Sequence, residues 1–251
     1  MESTKIKILC DHQTGYLPWL GLFHRISLSD IYVSLDTVKY NPRSYDNRNK
    51  IKTPAGFKWL NVPTLKGKSK LLKDIKINNE IDWKDEHLKA ISYSYGSTPF
   101  FIHYFNNIKK ILNKNHDFLM DLNEELLTFF LHELGIKAVI EKASAHNIHG
   151  RKNGYLINIC KEFKANTYIF GQLGKDYVDQ ELWKANNINV YFHEYRHPTY
   201  KQTSKNFEPY LSIIDLLFNE GPQHARTIIQ KGNVNRIEML RQITNNIRLK
   251  K

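Results

Sequence analysis

The sequence predicts an α/β fold, with a mainly parallel sheet flanked by helices and an inserted β-hairpin and helical segment. Three observations predict it. Strand-like and helix-like segments alternate at both ends of the chain, a hairpin pattern interrupts them, and 41% of the 251 residues are hydrophobic. That composition is sufficient for a sizeable core. We expect a single α/β domain over residues 1–251, with the insertion at about 40–135.

The first elements form a β-α-β unit. "KIKILC" (5–10) and "DIYVSLD" (30–36) are typical of short strands, because both are rich in residues that suit a pleated surface. Between them, apolar side chains recur at helical spacing from Trp19 to about residue 28. A crossover helix of this kind joins parallel strands.

The insertion begins with a hairpin. Residues 48–53 and 57–63 predict two strands around "TPAG", where Pro and Gly favour a turn. The helices predicted next cover residues 83–95, 99–114 and 117–134, and Gly135 is a typical C-terminal stop.

The alternation of strands and helices then returns. The strands predicted here are 137–144, 166–171 and 188–195, and the helices are 152–164, 175–186 and 210–221. We expect Gly221 to end the last of these helices, and a basic, helical tail to follow from residue 222.

The net charge of +12 favours anionic partners, namely nucleic acid, phosphorylated metabolites or an anionic membrane surface. Much of this charge is expected to be solvated surface. No apolar stretch approaches the roughly 20 residues that span a bilayer, and no signal-peptide cleavage pattern follows the first strand, so we expect a cytoplasmic protein without a membrane span. Cys10 and Cys160 have no metal-ligand spacing, and neither a metal nor a disulfide is indicated.

Unusual polar residues follow each predicted strand. Asp11, His12 and Gln13 follow the first strand, and Asp36 ends the second. The later clusters are "SAHNIHGRKNG", "GQLGKDY" and "RHPTYKQ". Carboxyl ends of parallel strands share one edge of a sheet, where open α/β sheets bind ligands. The stretch "CDHQTGYLPWLGLF" (10–23) is therefore expected to form one wall of a site.

Several long motifs resemble the WbqC-like family. They are "HQTGYLPWLGLFHRI", "SDIYVSLDTVKY", "YDNRNKIKTPAGFKWLNVP", "YIFGQLGKDYVD" and "YRHPTYKQ…FEPYLSIIDLLFNEGP", and they occur in the family's order over residues 6–229. Two positions depart from the usual pattern. Thr14 stands where the family usually has Pro after His-Gln, and "GQLGKD" has Gly where Ala is more common before Lys-Asp.

The resemblance implies a role in O-antigen or other surface-polysaccharide assembly. It implies a transferase that acylates the amino group of a nucleotide- or lipid-linked amino sugar, with glycine as the acyl group. The donor is then glycyl-tRNA or glycine with ATP, and the sequence leaves the cofactor and the oligomeric state open. The sequence contains neither a Walker A loop nor an adenylation signature.

Amide formation requires a base for the ammonium proton and donors for the oxyanion. We assign the catalytic roles to His12, Asp36 and His197, with His12 as the first choice for base because histidine titrates near neutral pH. Asp36 would orient His12 or bind an amine. The alternatives are that His12 only holds its loop and that Asp36 is a turn residue.

The remaining candidates would bind substrate. Arg48 and Lys52 could bind a diphosphate, and Lys175 and Asp176 could bind phosphate and amine. The alternatives are a solvated hairpin face, which suits Lys52 better than Arg48, and a solvated helix end for Lys175 and Asp176. Tyr16 could stack on a base or be a core residue. The full predicted set is Gln13, Tyr16, Asn47, Arg48, Lys52, Gly171, Lys175, Asp176, Tyr200 and Gln202.

Other interpretations stay open. Cys10 could be a nucleophile but is more typical of a buried apolar position, and His193 is more typical of a structural residue within a strand. The opening strand, histidine and helix are also distantly similar to those of nucleotidyltransferases, although their second motif histidine is missing. The competing functions are a tRNA- or RNA-binding protein and a non-catalytic partner in polysaccharide assembly.

Overall fold

The computed structural model describes residues 6–67, 70–204 and 206–248. It confirms the α/β prediction: a parallel five-stranded sheet is flanked by helices, and a separate two-stranded antiparallel hairpin is inserted. The strands are β1 (Ile8–His12), β2 (Ile31–Ser34), β3 (Arg48–Thr53), β4 (Gly56–Asn61), β5 (Val139–Lys142), β6 (Thr167–Phe170) and β7 (Asn189–Phe192).

The large sheet has the order β5-β2-β1-β6-β7, and each neighbouring pair is parallel. The chain leaves β1 toward β2 on one side and later returns to pair β6 on the other side. The direction of winding therefore reverses between β1 and β6, which is the position where open α/β sheets form a ligand crevice.

The central strands are continuous apolar runs because helices cover both faces of the sheet. Successive side chains of β1 point to opposite faces of the sheet. Ile8 and Cys10 belong to a large apolar cluster on one face, and Leu9 belongs to a smaller cluster on the other. Asp11 and His12 come where β1 passes beyond both clusters. The first polar side chains after the core therefore lie at the carboxyl edge of the sheet.

The helices are α1 (Leu20–Leu28), α2 (Trp83–Tyr95), α3 (Phe101–Leu112), α4 (Leu119–Glu133), α5 (Lys152–Glu162), α6 (Gln180–Ala185), α7 (Ile213–Gln230) and α8 (Arg236–Arg248). The helix predicted from residue 175 begins later. Residues Gln172–Asp176 form a 3₁₀ turn instead, and the Asp179 side chain accepts a hydrogen bond from the Leu182 amide and caps α6.

The predicted stop at Gly221 is a break and not the end of the helix. Gly221 has a φ of 71°, and the chain returns to helical geometry directly after it. Pro222 then occupies the first turn of the second segment, where its missing N–H costs nothing. A side chain at 221 would also meet the Phe100 ring at 2.6 Å.

The hairpin packs its inner face on the helices of the insertion. Asn49, Ile51 and Leu60 lie on that face and are buried. The Tyr95 hydroxyl of α2 accepts a hydrogen bond from the Lys52 backbone N–H of β3 at 2.8 Å. The hairpin is therefore fixed to α2 beside the large sheet.

Candidate functional site

A crevice of ≈440 Å³ lies at the carboxyl edge of the sheet, at the reversal between β1 and β6. Its walls come from the ends of β1, β6 and β7 and from the first turns of α1. The residues that line it are Asp11, His12, Gln13, Trp19, Gly21, Leu22, Arg25, Leu35, Tyr168, Phe170, Gly171, Gln172, Leu173, Gly174, Tyr177, His193 and Tyr195. Its size and its mixture of aromatic walls with a few convergent polar groups are typical of small-molecule sites.

Asp11 supplies a buried negative charge to the crevice. The residue is only 7% exposed, and its Oδ2 has no hydrogen-bond partner. Burial raises the pKa of this carboxyl to about 6, while the Tyr168 hydroxyl and the Arg25 charge partly offset the rise. A buried oxygen without a donor is costly, so the free side of this carboxylate is suited to an amine or a hydroxyl of a ligand.

Arg25 supplies the opposite charge. It lies one helical turn after Gly21 on α1, is 8% exposed, and its Nε is buried without a hydrogen-bond partner. In the part of the chain that the structure describes, its guanidinium makes no salt bridge. The planar fork of arginine matches carboxylate and phosphate oxygens, so this cation is suited to an anionic group in the crevice.

His12 is the accessible histidine of the crevice. Its Nδ1 lies 2.7 Å from the Gln13 carbonyl oxygen, which fixes Nδ1 as the protonated nitrogen and leaves Nε2 as the acceptor. The surrounding protein and the Arg25 charge lower the pKa of His12. The ring is also exposed to water in the crevice, which moderates that shift. His12 is therefore neutral near pH 7 and able to accept a proton.

A second histidine reaches the crevice from β7. His193 Nε2 lies 2.8 Å from His24 Nδ1, and the two rings stack with centroids 5.0 Å apart. Burial lowers the pKa of His24 to about 4, and burial with the neighbouring His24 and Arg25 lowers the pKa of His193 to about 2. The pair is neutral. It supports the wall of the crevice beside Tyr195, which stacks on both rings.

Trp19 forms another wall of the crevice. Two segments with strained backbone conformations hold it in place. Leu17 and Tyr210 both have left-handed φ angles, of 46° and 58°. Trp19 and Ser212, each two residues further along the chain, form a β-bridge. Asn49 stabilises the first strained residue by donating its amide to the Leu17 carbonyl at 2.7 Å. Non-glycine residues in this conformation persist only where surrounding contacts impose it.

Two glycines make room in the crevice. A Cβ at Gly21 would lie 2.2 Å from the Trp19 ring, so only glycine lets that ring lie across the start of α1. A Cβ at Gly171 would lie 3.0 Å from a terminal nitrogen of Arg25. The absence of a side chain at Gly171, in the predicted glycine turn, therefore leaves the space that the Arg25 guanidinium occupies.

A larger groove, of ≈650 Å³, lies on α3 and α4. Most of its charged groups are already paired: Lys114 contacts Glu125 at 2.5 Å, and Lys142 contacts Glu124 at 2.5 Å and Asp121 at 3.7 Å. Lys110 is the lining charge without a salt bridge among the described residues. Paired surface charges contribute little and leave no group for a ligand. The crevice is smaller, but each of its two buried charges, Asp11 and Arg25, keeps a polar atom without a hydrogen-bond partner, so we take it as the candidate site.

Of the predicted site residues, the structure brings His12, Gln13 and Gly171 together in the crevice. It does not bring Tyr16 or Asn47 there. Tyr16 is buried in the core with its hydroxyl 3.0 Å from His87 Nδ1, and Asn47 donates to Val62 O and Asn61 Oδ1 in the hairpin.

Asp36 lies at the end of β2 but has other partners than His12. Its Oδ1 accepts the Ser144 amide hydrogen at 2.9 Å, and its Oδ2 accepts the Ser144 hydroxyl. Both carboxylate oxygens thereby hold the loop after β5. Its predicted catalytic role stays a prediction, and its contacts explain the burial of this charge without one.

His197, Tyr200, Gln202 and Lys52 belong to a separate buried network. Its centre is Asp215, which accepts hydrogen bonds from Tyr95, Tyr200 and Gln202 at 2.8–2.9 Å. The Lys52 ammonium donates to the Asn206 carbonyl at 2.5 Å. His197 stacks on the outer side of Trp19, with centroids 6.5 Å apart, and does not line the crevice.

The remaining predicted residues are at the surface. Arg48 stacks on Trp59 on the outer face of the hairpin, with its Cζ 4.3 Å from the ring centroid. Lys175 pairs with Glu194 beside the crevice, and Asp176 is exposed in the same turn. Their predicted roles in substrate binding stay predictions.

The structure accounts for two further sequence features. Cys10 is fully buried, and burial raises the pKa of its thiol to about 11, so it is protonated and inert, as expected for a core position. The Thr14 hydroxyl lies 2.9 Å from the Tyr32 hydroxyl and 2.8 Å from Ser34 Oγ. Thr14 thus ties the loop after β1 to β2 by side-chain bonds.

Sequence reasoning missed Arg25, His24 and Tyr168 as site residues and treated Asp11 only as a neighbour of His12. A signal for the first two was present. "LGLFHRISL" is a helix with apolar residues on nearly all sides, so His24 and Arg25 had to be buried or face a polar cavity. Tyr168 gave no such signal, because an aromatic residue within a strand is typical of a core.

The fold and crevice define an α/β protein with a charged ligand site at its winding reversal. The model of the WbqC-like protein family matches residues 13–227. An uncharacterized protein of Mycobacterium tuberculosis is 32% identical over 215 residues, which cover 84% of this chain and 93% of that protein. The chain therefore belongs to the WbqC-like family. The matched range includes Arg25, Tyr168 and His193 and begins directly after His12.

Among residues 6–67, 70–204 and 206–248, no helix is long and apolar enough to cross a membrane.

Proposed function

We propose that the crevice acylates the amino group of an amino sugar, with glycine as the acyl group, during assembly of O-antigen or a similar surface polysaccharide. The acceptor is linked to a nucleotide or a lipid. Membership of the WbqC-like family supports this pathway, through the resemblance of the family to proteins of surface-polysaccharide gene clusters. The acyl donor is glycyl-tRNA or glycine activated with ATP.

One observation carries the proposal: a buried carboxylate and a buried guanidinium lie in one crevice, and each has a polar atom without a protein partner. An activated glycine has an ammonium group, and its donor or acceptor has phosphate oxygens. Asp11 is suited to the first and Arg25 to the second. With a pKa of about 6, Asp11 is roughly 90% ionised at pH 7.

His12 provides the base. The acceptor ammonium loses a proton to His12 Nε2, and the free amine then forms a C–N bond with the acyl carbon while the carbonyl electron pair moves to oxygen. The Arg25 guanidinium stabilises the negative charge that develops.

The intermediate collapses when the bond to the tRNA 3′-oxygen or to the phosphate oxygen breaks. That oxygen leaves with the electron pair and takes the second proton of the attacking nitrogen, and His12 returns its proton to water. The net reaction joins one ammonium group and one acyl ester to give an amide, the leaving group and one proton.

A mass measurement tests the proposal. The protein is incubated with TDP- and UDP-linked amino sugars in two arms, one with glycine and ATP and one with glycyl-tRNA. We expect the mass gain of one glycyl group in one of the arms. The Asp11→Asn and Arg25→Lys variants should lose this product, and Tyr93→Ala, a change at a side chain 80% exposed on α2, should retain it. No product in either arm, with unchanged glycan acylation in cells that lack the protein, would contradict the proposal.

A further inference from the structure

The outer face of the hairpin displays aromatic rings to solvent. In the β3–β4 register, Lys50 lies opposite Trp59, and Phe57 lies two residues before Trp59 on the same face of the hairpin, which points away from the core. Phe57 is 46% exposed and Trp59 36% exposed, and Tyr45 beside them is 51% exposed. The rings are contiguous, with centroid distances of 5.7 Å for Tyr45–Trp59 and 6.3 Å for Phe57–Trp59.

Cations alternate with these rings. Arg48 Cζ lies 4.3 Å from the Trp59 centroid, and Lys50 Nζ lies 4.6 Å from the Phe57 centroid. The Arg48 side chain is held in place, because it also donates a hydrogen bond to the Arg43 carbonyl. Arg43 is exposed and has a left-handed φ of 84°, a strained conformation for a side chain of its size.

Part of this charge has no acidic partner. Lys50 pairs with Glu208 at 3.7 Å. Arg43 and Arg48, in contrast, form no salt bridge with any residue that the structure describes, and Arg48 Nε is buried without a hydrogen-bond partner. We call Arg43, Tyr45, Arg48, Phe57 and Trp59 the hairpin patch. It is cationic and aromatic on a chain of net charge +12.

We propose that the hairpin patch binds single-stranded nucleic acid. Unpaired bases stack on exposed rings whatever their sequence, and arginines beside the rings contact the phosphates. A duplex hides its base faces, a neutral sugar leaves the unpaired arginines without counter-charge, and an acidic peptide offers no planar groups for three neighbouring rings. Single-stranded nucleic acid satisfies both the rings and the cations.

The hairpin patch adjoins the crevice through one chain of contacts. Lys50 pairs with Glu208, and two residues later Tyr210 packs on Trp19 with centroids 5.7 Å apart. Trp19 is the wall of the crevice. Binding at the patch does not depend on acyl transfer, so this inference stands apart from the proposed function.

Fluorescence anisotropy tests the inference, with labelled single strands of about 12 nucleotides, within the range of known single-strand sites. RNA and DNA of one sequence form two arms, and the matching duplex forms a third. We expect binding of at least one single strand at low salt, weaker binding of the duplex, and a steep loss of affinity as salt rises.

The variant Phe57→Ala/Trp59→Ala should weaken single-strand binding at least about 25-fold, since it removes two rings and each base–ring stack contributes at least about a factor of five. Arg43→Ala should lower the salt slope by about 1. Both changes are at accessible side chains, and circular dichroism checks that the variants fold.

Tyr93→Ala is the matched control for removal of an exposed ring, and Asp11→Asn is the control for the crevice. Neither should change the affinity.

Three results would overturn the inference: no binding of either single strand at low salt, equal binding of the duplex, or equal affinity of the double variant and the wild-type protein. Absence of glycyl transfer by the wild-type protein, with intact strand binding, would contradict the proposed function alone. An RNA-only or a DNA-only result supports the inference and identifies the sugar that the patch accepts.

Discussion

Asp11 and Asp215 are both buried carboxylates, and burial raises the pKa of each to about 6. Their surroundings differ. Asp215 accepts hydrogen bonds from Tyr95, Tyr200 and Gln202. Asp11 lines the crevice, and its Oδ2 accepts none. The carboxylate of Asp215 thus joins protein segments, whereas the carboxylate of Asp11 keeps an acceptor for a ligand. A raised pKa alone does not separate a functional carboxylate from a structural one; the remaining hydrogen-bonding capacity does.

The largest expected effect is on catalysis at the crevice. His12→Ala should lower the rate of glycyl transfer by about 10²–10⁴, the usual contribution of general acid–base catalysis, because it removes the accessible acceptor of the ammonium proton. The rate constant is measured by mass spectrometry at saturating acceptor, and a loss smaller than threefold would show that another group is the base.

The pH dependence of the transfer rate tests whether Asp11 must be ionised for activity. Because its pKa is about 6, the rate should fall about tenfold for each pH unit below 6. Above pH 7 the profile should be flat, since His12, whose pKa is lowered, is already neutral there. In Asp11→Asn, the residual activity should lose the break near pH 6. An unchanged break in that variant would assign it to another group.

Removal of the acceptor from the Asp215 network should destabilise the fold. Asp215→Ala leaves two tyrosine hydroxyls and the Gln202 amide without their acceptor, and each such loss costs about 1–3 kcal/mol. We expect the free energy of unfolding in urea to fall by about 3 kcal/mol or more. A change below about 1 kcal/mol would mean that the network does not stabilise the structure.

Removal of the Asp11 charge should instead increase the free energy of unfolding. Its pKa rises from 3.8 to about 6 on folding, so the folded state holds its proton more tightly, and ionisation of the group lowers stability as the pH rises from 4 to 6. Asp11→Asn should therefore raise the free energy of unfolding at pH 7.5, by about 3 kcal/mol at most. The gain should disappear near pH 4. Urea melts at both pH values check this, and a loss of stability at pH 7.5 would contradict it.

The smallest effect is expected at Gly171. A methyl group there would lie 3.0 Å from a terminal nitrogen of Arg25, which must shift by a few tenths of an ångström. Gly171→Ala should weaken binding of the anionic substrate, seen as a KM about tenfold higher, with a stability change below about 1 kcal/mol. Gly67→Ala, at a glycine with open space around its Cβ position, is the control. An unchanged KM would mean that Arg25 does not bind substrate.

The fold class and the order of elements could be predicted, because apolar periodicity and turn residues are local properties of the chain. The prediction of a site at the strand ends named His12, Gln13 and Gly171, and these three residues line one crevice. That step needed only the geometry of a parallel sheet.

The partners of the other polar residues could not be predicted. Lys52, Tyr200 and Gln202 lie beyond strand ends or in the hairpin, as ligand-binding residues do, but a carboxylate on α7 engages or approaches them. This depends on contacts between residues more than 150 positions apart, such as Lys52 and Asn206. No local pattern contains that information, nor does it show that Arg25 lies beside Asp11.

Glycyl transfer per folded molecule, compared between Asp11→Asn and Asp215→Asn, tests the central claim most directly. Both substitutions remove one buried negative charge and keep the shape of the side chain. The account predicts that Asp11→Asn is folded and loses nearly all activity, whereas Asp215→Asn, once folded, stays active. A fully active Asp11→Asn variant would contradict the claim that the unpaired carboxylate of the crevice is the functional one.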